Sequence, residues 1–316
     1  MPITPEQSES VTETSFTNSS AHIRPDINWY PGHMLKAKKA LVSQLKRVDV
    51  VLELRDARIP LASMNHDFED LLSHKHRIVL FNKTDLANSN TTAAWQSYFQ
   101  SQKGHFLFID SKQKQNRTLK KVLPLARKIM REKWETYKKK GIRPPSLKLM
   151  IVGVPNVGKS TLINRMVKRH AAETGSKPGV TRHTTWVKLG KDTELLDTPG
   201  ILWPKIESAD AGLALTLTGA IRDSVVDSKR LIEFLIQSCQ NSRPDVFQKR
   251  YNLPSNFQKL PSAEIINAVA VHRGCIKEKG VVDRNRAIDL MLRDFREGNL
   301  GRISLEKPDN DDQTMD

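Results

Sequence analysis

Apolar and polar positions follow two rhythms along this chain, and the change between them divides it. Between Val50 and Leu196, short apolar runs alternate with stretches of helical period. Val50–Leu54, Arg77–Phe81, Phe106–Ile109 and Leu147–Val152 are dense in Val, Ile, Leu and Phe and read as buried strands. Thr185–Gly190 and Thr193–Leu196 read as a hairpin turned at Gly190-Lys191-Asp192. Helices are predicted over Asp67–Leu72, Thr92–Gln102, Leu119–Lys140 and Thr161–Arg169, with Pro124 as the expected interruption of the long one. An earlier helix, Leu35–Lys46, follows the turn Asn28–Met34. Six strands alternating with helices imply a parallel sheet with crossovers.

From about Leu202 to Ile303 only the helical rhythm remains. Asp227 is placed to cap a helix running to about Gln240, and Ser262 one running to Arg273 with Gly274 as its stop. Asp283 starts a third that ends at Gly298. Within it Ala287, Ile288, Met291, Leu292 and Phe295 form an apolar stripe. Residues 1–25, rich in Ser, Thr and Glu, have little to bury and are expected to be a disordered tail. They lack both the apolar core of a secretory signal and the acid-poor, Arg-rich pattern of a presequence. Residues 304–316 read as a second, acidic tail.

Composition changes the picture in one respect. The 316 residues carry a formal charge of +16, which favours a polyanionic partner. Much of it lies on Lys36, Lys38, Lys39, Lys46 and Arg47 of the first helix, and on Arg284, Arg286, Arg293, Arg296 and Arg302 near the last. Two cysteines, Cys239 and Cys275, fit a reducing compartment and form no metal motif. No apolar run approaches the roughly 20 residues that span a bilayer, so stable membrane association is not expected.

The chemistry concentrates in the strand-turn-helix at Gly153-Val154-Pro155-Asn156-Val157-Gly158-Lys159-Ser160, a full G-x-x-x-x-G-K-[ST] pattern. Gly153 and Gly158 let the backbone curl around phosphate oxygens, with Pro155, Asn156, Val157 and Thr161 completing the cradle at a helix N-terminus. Lys159 is placed for the β- and γ-phosphates and Ser160 for Mg²⁺. Asn82-Lys83-Thr84-Asp85 ends an apolar strand. An Asp there can accept from both guanine N1–H and the exocyclic amine, a donor pair that adenine lacks, so GTP is selected over ATP. Asn82 braces the loops, the Lys83 stem lies along the base, and Ser111 and Lys112 flank it. Asp197-Thr198-Pro199-Gly200 follows a strand, so Asp197 suits a Mg²⁺ contact and the Gly200 N–H the γ-phosphate. Thr181, in Pro178–Arg182, is the candidate switch hydroxyl for Mg²⁺.

The order of these motifs is unusual, because Asn82 precedes Gly153 by 71 positions. In Ras-like chains the guanine motif follows. The chain resembles the circularly permuted GTPases, most closely the YlqF/RbgA type of ribosome-biogenesis GTPase, over roughly residues 27 to 303. The motifs that carry this are Trp29–Met34, Asn82–Asp85, Gly153–Ser160, Pro178–Arg182 and Asp197–Gly200. The resemblance implies a permuted Ras-like α/β GTPase domain over 26–206 and a small all-α, RNA-facing domain over 207–303. The chain cut falls after the Asp197 strand, and Leu119–Ser146 links the old termini. It also implies GTP and GDP as ligands, slow hydrolysis, and ribosomal RNA of a large-subunit precursor as partner. A monomer in the cytoplasm is expected, with the mitochondrial matrix as the alternative because mitochondrial relatives share the motifs. A GTP-dependent RNA-binding switch outside ribosome assembly is the competing reading. Ile201 stands where many Ras-like chains have a water-orienting Gln. By resemblance, Asn156 is then the candidate ligand of a catalytic K⁺, and His33 the candidate to orient the water.

Overall fold

The computed structural model of this protein describes residues 42–65, 71–113, 117–174, 186–198, 206 and 208–308. Strand β1 (Val50–Asp56) is buried along its whole length, as a central strand covered on both faces must be. It pairs in parallel with β2 (His76–Asn82), which pairs in parallel with β3 (Phe106–Phe108). On its other side β1 pairs in parallel with β4 (Leu147–Gly153), Leu52 lying beside Ile151. β5 (Trp186–Lys188) and β6 (Thr193–Leu196) form the antiparallel hairpin expected from the sequence, with β6 parallel to β4.

The sheet order is β3-β2-β1-β4-β6-β5. The chain runs outward from β1 to one edge, then restarts at β4 and runs outward to the other. The crevice at the carboxyl ends of β1 and β4 is therefore a topological switch point, the place where open α/β sheets bind ligands.

Between β2 and β3, α1 (Ser89–Ser101) starts at Asn88, whose side chain accepts from the Asn90 and Thr91 N–H groups. Its Trp95 and Phe99 cover the sheet edge, with the Phe81 and Phe99 rings 4.5 Å apart. The predicted helix Leu119–Lys140 is two helices, α2 (Leu119–Ile129) and α3 (Arg131–Lys139). Pro124 sits inside α2, and the break comes instead at Met130. The apolar stripe Leu119, Val122 and Ala126 ends there with a buried Met130, whereas α3 buries no residue fully and meets the core through the half-buried Trp134, so less holds it to the sheet. The P-loop leads into α4 (Lys159–Thr174).

The C-terminal region holds α5 (Ala209–Leu217), α6 (Ser228–Ser242), α7 (Pro244–Tyr251), α8 (Ser262–His272) and α9 (Arg284–Glu297). Asp227 and Asp283 cap α6 and α9 as expected. Ser262 does not cap α8: Pro261 holds the cap position, and Ser262 is the first helical residue. The stripe on α9 is core, but it also carries a buried Asp294 that the pattern did not flag. Asp294 accepts from Arg250, Tyr251 and Asn299, which compensates its burial. Burial and the neighbouring Asp294 push the Tyr251 hydroxyl far above its usual range.

α5 joins the two halves. Ala214 and Leu215 belong to the core beneath the sheet, Leu213 and Leu217 to the core of the helical region. The body also continues past Ile303. The Leu305 N–H donates to Arg58 O, and the Glu306 carboxylate accepts from the N–H groups of Leu61 and Ala62. Residues 304–308, assigned to the acidic tail by composition, are therefore folded against the sheet domain, because backbone donors there need the acceptors they bring. Of the first predicted helix only residues 42–46 are described, 42–45 as helix and Lys46 as a turn. Most of Asp67–Leu72 lies outside the described residues.

Candidate functional site

Every described candidate residue lies at a carboxyl end of the parallel strands. Asn82 ends β2, Ser111 and Lys112 follow β3, the P-loop leaves β4, and Asp197 follows β6. Asn82 is 1% exposed and joins the pieces. Its Nδ2 donates to Val157 O at 2.8 Å, and its Oδ1 accepts from Ser111 N at 3.0 Å. One side chain thus fixes the guanine loop, the flanking Ser111 loop and the phosphate loop. Gly158 makes this approach possible: at φ +104° a Cβ would lie 2.4 Å from Asn82 Nδ2. Gly153, at φ +152°, passes so close to β1 that a Cβ would lie 2.5 Å from Leu54 O.

At the phosphate end, Lys159 is 7% exposed and its Nζ donates to Gly153 O and Val154 O, both at 2.9 Å. Burial lowers its pKa to about 8, against the opposing pull of Asp197. Burial raises the Asp197 carboxyl, and Lys159 partly offsets this. The Ser160 hydroxyl stands exposed in the first turn of α4. Hydroxyl and carboxylate oxygens are hard donors suited to Mg²⁺. No group of three or more His, Cys, Asp or Glu side chains converges among the described residues. A divalent ion here would therefore take most of its ligands from phosphate and water, which is how Mg²⁺ usually binds. Asn156 has φ +56° and is exposed, and its Nδ2 donates to Gly219 O at 2.6 Å. A carbonyl can only accept, so the amide must turn its nitrogen to Gly219. Oδ1 is left directed away, a suitable ligand atom for a monovalent cation.

At the base end, Lys83 has φ +65° and its Nζ lies 3.0 Å from Asp56 Oδ2. Burial lowers the Lys83 pKa, with Asp56 opposing. Burial and the nearby Asp110 raise the Asp85 carboxyl. The Lys112 carbonyl accepts from Arg165, and its N–H donates to Asp110. Asp56 and Arg58 escaped the sequence reading. Both are buried, and Arg58 grips Asp56 with Nε at 3.0 Å and Nη2 at 2.9 Å. Burial alone would raise the Asp56 carboxyl, but Arg58 and Lys83 outweigh it and hold it well below the usual range. The charges Glu53, Arg55, Asp56 and Arg58, crowded at the end of an apolar strand, were the available signal.

By sequence Arg296 belongs with the basic residues near the last helix, α9. It instead donates from Nε to Leu217 O and from Nη2 to Thr216 O, and pairs with Asp223. It holds the end of α5, which presents Gly219 O to Asn156. Arg284, Arg286 and Arg293 are exposed. His33, Thr181 and Gly200 lie outside the described residues, so the sequence reading alone speaks for them.

Comparisons with known proteins bear on the fold and the family. A protein-family model described as "50S ribosome-binding GTPase" matches residues 148–260. It begins on β4, so the guanine motif falls ahead of it, as a permuted chain requires. Ribosome biogenesis GTPase A of Bacillus pumilus is 40% identical over 284 residues, covering 90% of this chain and 99% of the relative. Mitochondrial ribosome-associated GTPase 1 of Mus musculus is 31% identical over 299 residues, covering 88% and 90%. The crystal structure of GNP-bound YlqF from T. maritima superposes with a TM-score of 0.60 at 29% identity, covering 87% of this chain and 99% of that one. With its six-stranded P-loop fold, its permuted motif order and relatives matched over almost their whole length, the chain belongs to the ribosome biogenesis GTPase A family of circularly permuted GTPases.

Proposed function

We propose that this protein binds and hydrolyses GTP to assist assembly of the large ribosomal subunit, docking on the precursor particle in the GTP state and leaving after hydrolysis. The observation that carries the nucleotide reading is the pair of bonds made by Asn82, which bring a guanine-selecting loop and a phosphate loop together across one crevice. The ribosomal partner is supported by the names of the relatives and by the charge of +16.

Asp85 reads the base, Lys83 and Lys112 flank it, and Lys159 neutralises phosphate charge as the leaving group departs. Mg²⁺ would supply Lewis-acid stabilisation of the phosphates, and Ser160, Thr181 and Asp197 are the side chains that would hold it. Ile201 cannot orient water, so intrinsic turnover is slow. His33 is assigned the attacking water, and Asn156 Oδ1 a K⁺ ion that takes the place of an arginine finger's charge. The protein acts as a monomer, in the cytoplasm. Among the described residues no helix is long and apolar enough to cross a membrane.

The test is co-sedimentation with large-subunit precursors at several salt concentrations, with a non-hydrolysable GTP analogue and with GDP. Tighter binding with the analogue, weakening steeply with salt, is expected for contacts to RNA phosphates. Equal affinity in both nucleotide states removes the release mechanism. Binding to RNA in general, with no preference for the particle, favours an RNA switch outside assembly. Turnover in K⁺ against Na⁺ tests Asn156 separately, and equal rates remove its cation role.

A further inference from the structure

The residues just after the guanine motif are held by the far end of the chain. α9 ends at Gly298, where a Cβ would lie 2.6 Å from Leu86 Cδ2, so the turn sits directly on the residue following Asp85. From there the chain runs as a strap across the loops that follow β1 and β2. The Ile303 N–H donates to Leu86 O at 2.9 Å, and Ser304 Oγ accepts from Asn88 N at 3.1 Å. The Leu305 N–H donates to Arg58 O at 2.9 Å. Glu306 accepts from the N–H groups of Leu61 at 2.7 Å and Ala62 at 2.9 Å, and its carbonyl accepts from Trp95 Nε1. The Arg58 guanidinium, whose Nε–Nη2 edge grips Asp56 and through it Lys83, lies 5.0 Å over the Phe295 ring of α9. Arg302 emerges from the strap into a cavity of ≈ 550 Å³ that is also lined by Asp85, Asp110 and Lys112.

We infer that this strap, residues 300–306, is a positioning element of the guanine site: it holds the Asp85 loop in register for the base, and it places Arg302 in the wall beside the base edge. Guanine selectivity then depends on a segment of the helical region more than 200 residues away along the chain. The strap's bonds end on Leu86 and Asn88, just past Asp85, on Trp95 of α1, and on Arg58, Leu61 and Ala62 in the loop after β1, where Arg58 reaches Lys83 through Asp56. None of them reaches the phosphate loop. This rests on the reading of Asp85 as the guanine acceptor.

By linkage, a strap that favours guanine binding must itself be tightened by guanine nucleotides. The test compares GTP with inosine triphosphate, which keeps the N1–H but lacks the exocyclic amine, in the intact chain and in Ser304→Ala, Glu306→Ala and Arg302→Ala variants. Loosening the Asp85 loop should lower GTP affinity about fivefold to tenfold and compress the GTP-to-inosine ratio, as loss of one or two net hydrogen bonds would. A general loss of stability would lower both affinities together and leave the ratio standing, which would overturn the inference. Amide hydrogen exchange on the intact protein needs no variant. Slower exchange at Ile303 and Leu305 with GDP, and not with ADP, is expected, and no change overturns the proposal. Asp85→Asn separates the two readings. If it leaves guanine affinity untouched, the guanine assignment has failed. If it abolishes affinity while the strap variants and exchange show nothing, only the strap has failed.

Discussion

Raising the pH should weaken GTP binding through one group, Lys159. Its ammonium is enclosed by the P-loop, and burial lowers its pKa to about 8 in the protein without nucleotide. A bound triphosphate sets several negative charges around it and raises that pKa well above the free value. Above pH 8 the free protein must take up a proton in order to bind, so affinity falls as pH rises. From that value Lys159 is almost fully charged at pH 6.5 and about one quarter charged at pH 8.5, so affinity should fall about fourfold over this range, roughly 0.8 kcal/mol. The stability of the nucleotide-free protein has the opposite sign. A lysine depressed in the folded state binds fewer protons than in the unfolded chain, so its contribution grows from about pH 8 toward its ordinary value near 10.5. The assay is titration with a fluorescent GTP analogue at saturating Mg²⁺ and constant ionic strength, stopping at pH 8.5 so that the guanine N1–H stays on. Lys159→Ala should bind far more weakly and lose this pH dependence. A flat profile in the intact protein, or an unchanged slope in the variant, refutes the argument.

Asp85→Asn should weaken GTP binding about tenfold to a hundredfold, because an amide presents a donor to one of the two guanine donors. Binding of xanthosine triphosphate should improve, and unchanged GTP affinity in a folded variant would sink the assignment. Gly158→Ala meets both a backbone at φ +104° and the Asn82 amide, so it should destabilise the protein by about 2–4 kcal/mol in chemical denaturation and abolish nucleotide binding. Wild-type stability and affinity in that protein would show that the Asn82 bond to Val157 is not what closes the site.

The sequence alone determined the sheet, its nucleotide loops and their permuted order. Each of those features is local: an apolar run of strand length, a glycine turn, a polar tetrad at a strand end. Backbone geometry allows few alternatives to such patterns, and strands carry loops to their carboxyl ends whatever the chain order. Tertiary structure decided the rest. The long basic helix broke at Met130 and not at Pro124, where its stripe of fully buried residues ended. Asp56 and Arg58 came to lie beside Lys83 because a buried charge must find its partner, and Lys83 arrived from the end of the neighbouring strand. Arg296 left the basic face to hold the end of α5, since carbonyls at a helix terminus have lone pairs to spare and draw a guanidinium within reach. The residues Ser304 to Glu306 looked like a tail because composition reports only what a segment can bury by itself. They fold because Leu61, Ala62 and Asn88, more than 200 positions earlier, offer backbone N–H groups that their side chains accept.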